Sequence, residues 1–258
     1  MGAMQRYVSK ELTHFVGKNL RKEIMDKNQR REEQYNILLK IIKEKCISYH
    51  PHFPDEPPTT RRTRIVYPGN FSNNVMINPS MVCFCDIPIE DLGIHIRKYS
   101  HFGLSFQKSF LIKKGATPLL YVERNSAFIS TFRSEYFDEM VKLYFESCSS
   151  IGSLHDLIKN ESNPEEFIKM VESTPKECDK ISGFILYLLS YIKFFDSSKS
   201  DDDEENFYME REWRSPCYIL FEIADICRII LPSSYSKRFR NDVPGYVGQI
   251  TFSDERLG

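Results

Sequence analysis

The chain has 258 residues, 35 Lys+Arg against 36 Asp+Glu, with 41% hydrophobic and 13% aromatic side chains. That length suits one large domain or two small ones, and the apolar fraction is too high for a disordered chain. No apolar run approaches the ~18 residues of a membrane-spanning helix, so no membrane association is expected. The start has no signal-peptide core either, and the expectation is a cytoplasmic protein beginning at Met4, with Met1-Gly2-Ala3 an appended remnant.

In chain order, a short apolar element covers 12–16 and ends at Gly17. Residues 18–34 are densely charged and read as an exposed loop or helix start. Tyr35, Ile37, Leu38, Ile41 and Ile42 approach helical spacing and predict a helix over 34–42. Four prolines mark 50–62 as a loop, followed by Arg61, Arg62 and Arg64. MVCFCDI at 81–87 predicts a buried strand, and 103–106 another. A helix is expected over 107–114, stopped by Gly115. A strand over 118–122 follows, then helices over about 126–148, 163–172 and 178–195. Residues 197–205 (SSKSDDDEE) form an acidic loop, and strands are expected at 207–214, 218–222, 226–231 and 246–252. Strands at both ends of a helical middle define an α+β protein. The expected organisation is one domain over 4–258, with a helical insertion around 126–195 and the acidic loop 197–205.

The near-zero net charge conceals an asymmetry. Residues 1–124 hold 20 basic and 12 acidic side chains, and residues 125–258 hold 15 and 24. The basic half offers a surface for phosphate groups or nucleic acid, against the simpler reading that the two halves compensate each other. Seven cysteines lack the spacing of a disulfide framework and read as reduced thiols. Only Cys83 and Cys85 are close, which does not make a zinc site, so no metal is expected. Neither a Gly-rich dinucleotide loop nor a Walker lysine loop occurs, nor HExxH nor GxSxG.

Three stretches carry candidate chemistry. If 207–214 is a strand, Tyr208, Glu210, Glu212 and Arg214 share one face, where paired carboxylates orient a sugar hydroxyl or form ordinary ion pairs. His14 sits between apolar neighbours beside Gly17, as a core histidine or a ribose contact. Tyr99, Phe102 and Phe106 supply stacking surfaces around Ser105 and Gly103, or simply lead into a core strand.

Taken together, YVSKELTHFVG (7–17), VCFCDIPIEDL (82–92), YSHFGLSFQKSFLIKKGATPLLYV (99–122) and FYMEREWR (207–214) resemble the bacterial AbiGi-like family of abortive-infection phage-resistance proteins, sometimes the antitoxin half of a pair. The ordered set His14, Tyr99 or Ser105, then Glu210-x-Glu212 is similar to ADP-ribosyltransferases, including the DarT toxins. That second resemblance implies a split pair of small sheets across a cleft holding NAD. It assigns His14 to a ribose, Tyr99 or Phe102 to stacking on nicotinamide, and Ser105 to bracing the site. Glu212 would hold the ribose 2′-hydroxyl and stabilise an oxocarbenium-like state, with Glu210 positioning the acceptor. The function implied is phage defence through an NAD-dependent ADP-ribosyltransferase. The alternatives are a non-catalytic antitoxin that binds a partner toxin, and a hydrolase using the same carboxylates with Asp86.

Overall fold

A computed structural model describes residues 9–17, 20, 26–49, 62–65, 70–74, 77–125, 138–147, 181, 183–201, 203 and 205–256. The expected loop at 50–61, the first part of the 126–148 helix and all of the 163–172 helix lie outside these residues. So do the side chains of Arg61, Arg62 and Arg64. The chain divides into two units, one built from residues 1–62, 80–119 and 199–258, the other from 63–79 and 120–198.

The first unit is organised on seven strands: β1 (Glu11–Phe15), β2 (Val82–Cys85), β3 (Gly103–Gln107), β4 (Thr117–Pro118), β5 (Glu212–Ser215), β6 (Ile226–Leu231) and β7 (Gln249–Phe252). Their order across the sheet is β7-β6-β3-β1-β2-β5-β4. All neighbours are antiparallel except β6 and β7, which run parallel. The fold is α+β. In place of the expected split pair of small sheets, this unit holds one continuous seven-stranded sheet.

Register determines which side chains meet. Trp213, Phe84, Leu104, Ile229 and Ile250 occupy one face, where α1 (Lys27–Glu44) lays Tyr35, Leu38, Leu39 and Ile42 onto the sheet. Those four helix positions follow the i, i+3, i+4, i+7 stripe of a helix buried on one side. The helix begins earlier than its apolar spacing predicts, because Asp26 caps it by accepting from the amides of Asn28 (2.7 Å) and Gln29 (3.0 Å). The opposite face carries a different row, Glu212, Cys85, Thr13, Ser105 and Arg228, each directly paired with the next. Part of this second face is apolar, where Phe15 and Ile230 pack with Ile87, Leu92 and Ile96.

Several expected elements form as read, including β3, the following helix α3 (Lys108–Lys113) and the stop at Gly115, whose φ is +89°. The 207–214 strand does not. Phe207–Glu210 is a 3-10 turn, Arg211 is left-handed at φ +41°, and extension begins only at Glu212. Alternation fails across the left-handed residue, so the two glutamates are not successive positions of one strand. The helix expected to run to 195 ends earlier, with Ile192–Phe195 forming a strand.

In the second unit Leu120–Glu123 pairs in parallel with Ile192–Phe195. A core of Phe71, Ile77, Val141, Leu189 and Phe194 lies beside them. The Asn74 amide brackets Phe194 from both sides, donating to its carbonyl and accepting from its amide, each at 2.8 Å. Asp138 accepts from the Ser72 amide (3.0 Å) and hydroxyl (2.7 Å), anchoring the helical residues 138–147.

Candidate functional site

The second face of the seven-stranded sheet holds the buried carboxylates Glu210 and Glu212, and a third, Asp86, follows β2 beside Lys108. Glu210 lies at the end of the 3-10 turn, where the short helix α2 (Gly93–Lys98) meets it. Lys98 Nζ is 2.8 Å from Glu210 Oε1, and the Tyr99 hydroxyl donates to the same oxygen. Glu212, at the start of β5, pairs with Arg214 two residues along, Nε to Oε1 at 2.7 Å. Asp86 accepts from Lys108 Nζ (2.7 Å) and the Ser9 amide (3.2 Å), and its own amide donates to the Arg211 carbonyl. The lysine also stands over the Trp213 ring, 5.4 Å from its centroid. His95 is buried between Phe15 and Tyr99, with ring centroids 6.4 and 5.9 Å away.

These surroundings favour neutral groups between the ion pairs. Burial pushes the Tyr99 hydroxyl well up, and the adjacent Glu210 charge pushes it further. The Cys85 thiol is raised by burial and then by Glu210 and Asp86. His95 is lowered to about 4 by burial, with Glu210 partly opposing. A thiol and a phenol held protonated are poor nucleophiles. Each carboxylate has a cation against it, so the cluster reads as a set of structural ion pairs.

The six residues singled out in the sequence are divided by the sheet. Tyr99, Ser105, Glu210 and Glu212 belong to the charged face. His14 belongs to the other, with Leu12 and Val16, its Nδ1 2.8 Å from the Cys83 carbonyl oxygen and its ring 5.8 Å from Phe84. Burial lowers the His14 pKa, with the Cys83 carbonyl opposing. Phe102 is also on that side, 0% exposed and packed against Tyr35 and Tyr235. Ser105 and Glu212 share a row but stand three strands apart, about 14 Å at ordinary strand spacing. Phe102 and Ser105 are both sealed from solvent, so neither can touch a dinucleotide in this arrangement. The structure does not bring together the residues that the transferase resemblance gathers around NAD.

His95 and Lys98 were missed in the sequence reading. They lie on α2, whose six residues have no side-chain N-cap and are too few to show a helical period. Asp86 was legible, as the only further acid weighed beside Glu210 and Glu212. Among the described residues no cluster of three or more His, Cys, Asp or Glu side chains is arranged to hold a metal.

Comparison with known proteins places the chain in a family. Residues 69–245 match the family described as abortive phage resistance protein AbiGi, antitoxin. That match covers more than half of the chain, and the protein belongs to this family. A curated relative, the abortive phage resistance protein AbiGi of Lactococcus lactis subsp. cremoris, is 25% identical over 142 residues. The aligned region is 52% of this chain and 49% of that protein, so the match spans about half the relative's length. No solved structure matches the chain. No helix among the described residues is long and apolar enough to cross a membrane.

Proposed function

We propose that the protein acts as the antitoxin of an abortive-infection pair and neutralises a protein toxin by binding it through the apolar surface of its second unit. The observation that carries this reading is a row of large apolar side chains in water. Ile181, Phe184 and Leu188 are 53%, 61% and 49% exposed. Their spacing of three and four residues aligns them on one side of a helix. Met140 and Leu143, three apart on the helical residues 138–147, are exposed to a similar degree. Apolar groups presented this way on a folded protein mark interaction surfaces, and an aromatic anchor is the usual centre of one. The family description as antitoxin supplies the kind of occupant.

Co-expression with the toxin tests this directly. Phe184→Asp combined with Leu188→Asp should abolish co-purification and restore toxicity, with the urea midpoint unchanged because both side chains are already exposed. Full protection by the double variant removes the proposal. The transferase reading is the weaker one, since His14 and Glu212 stand on opposite faces of the sheet. Release of nicotinamide from labelled NAD by the wild type, lost in Glu212→Gln, would reverse that ranking.

A further inference from the structure

A second feature of the first unit points to a ligand of its own. Where the start of α1 meets the end of α2, a cleft of about 120 Å³ is lined by Lys27, Arg30, Arg31, Gln34, Arg97 and His101, and among the described residues no acidic side chain lines it. Lys27, Arg30, Arg31 and Gln34 follow helical spacing, so the first two turns of α1 present one basic side to the cleft.

The arrangement is electrostatically unfavourable as it stands. Asp26 caps α1, but the first turn that follows contains no acid to offset its basic side chains, although the N-terminal end of a helix favours negative charge. Three cations sit there instead. Arg30 and Arg31 are half-buried, and among the described residues none of Lys27, Arg30 and Arg31 is ion-paired with a carboxylate. The Arg31 Nε is sealed from solvent and has no hydrogen-bond partner. Arg31 Nη2 approaches His101 Nε2 at 3.5 Å, and His101 Nδ1 is 3.3 Å from the Ser253 hydroxyl. A guanidinium donating to Nε2 leaves the His101 proton on Nδ1, and the imidazole neutral. Burial lowers the His101 pKa, and the charges of Arg31, Lys27 and Arg30 lower it further, with Asp254 opposing them.

We propose that this cleft binds a phosphate group, of the kind a nucleotide carries, with Arg30 and Arg31 as its principal counter-charges. A doubly charged, multi-oxygen anion matches several adjacent cations better than a single carboxylate does. The cleft has room for a phosphate group, and the rest of such a ligand can extend from its mouth. The site rests on neither the antitoxin reading nor the apolar surface of the second unit.

The test is titration of the full chain with inorganic phosphate, a nucleoside 5′-monophosphate and a 5′-phosphorylated oligonucleotide. Binding is followed by calorimetry and by the His101 imidazole resonance at fixed pH. Saturable binding that moves this resonance is expected, weakened about tenfold or more in Arg30→Ala and in Arg31→Ala. The tightest of the three ligands identifies the natural source of the phosphate. Arg240→Ala, remote in sequence and not lining the cleft, should bind as the wild type does. A thermal midpoint that rises with phosphate in the wild type but not in the arginine variants gives an independent readout. Absence of saturable binding by all three ligands, or equal affinity in the wild type and both arginine variants, overturns the proposal. The toxin-neutralisation assay is unaffected by that outcome.

Discussion

Glu210 shows what individual residues do in this fold. Its carboxylate is 7% exposed and Lys98 12%, so each neutralises a charge that the interior would otherwise reject. Glu210→Gln removes the counter-charge in contact with that ammonium and should cost roughly 3 kcal/mol, read as a lower urea midpoint. An unchanged midpoint would mean the pair is solvated enough to be dispensable. His95 gives a pH signature. Its folded pKa is about 4 against 6.5 for the unfolded side chain. The unfolded chain takes up this proton first as the solution is acidified, so stability falls between pH 6.5 and 4, and above that window this side chain adds no slope. The loss is roughly 3 kcal/mol, and His95→Gln should flatten the denaturation midpoint across the same range. The parity of His14 was legible in the sequence, since it alternates in step with Leu12 and Val16, both core residues. The side on which Glu212 would fall was not legible, because facing depends on the partner strand and register. The kink at Arg211 gave no warning either, since left-handed backbone is announced by Gly or Asn rather than Arg.

Among the elements, β3 is the most constrained. A Cβ at Gly103 would stand 2.9 Å from the His14 carbonyl oxygen, a backbone atom of the neighbouring strand, and 3.3 Å from the Phe15 ring. Gly103→Ala should therefore push β1 and β3 apart and cost about 1–3 kcal/mol in equilibrium unfolding. Gly245→Ala, with open space around it, is the matched control and should change little. Strands β2, β3 and β6 were legible because each is a short run of apolar or β-branched side chains bounded by polar or turn-forming residues. The expected strand at 118–122 is instead two pieces with a break at Leu119. Thr117–Pro118 joins β5, and Leu120–Glu123 pairs in the second unit. Local preference specifies extension but not the partner, so a change of sheet within the seven residues 117–123 leaves no mark in the sequence.

For the whole molecule, the two proposals belong to different units and fail separately. Loss of toxin protection in the Phe184 and Leu188 variants speaks to the apolar surface, and loss of phosphate binding in the Arg30 and Arg31 variants to the basic cleft. Charge counts along the chain left the basic half open between a phosphate surface and simple compensation, and among the described residues the cleft draws its cations from the start of α1 and the end of α2. The α+β class was legible and the sheet order was not. The chain meets its own pairing partners across more than a hundred residues, as Glu212 does with Cys85.

At one rim of the seven-stranded sheet lies β4, two residues long and ending in Pro118. Proline offers no amide hydrogen to an incoming strand, and two residues make a poor template for one. Self-association through that border is thereby discouraged, and a crowded cell could accumulate many copies without their sheets fusing there into fibres.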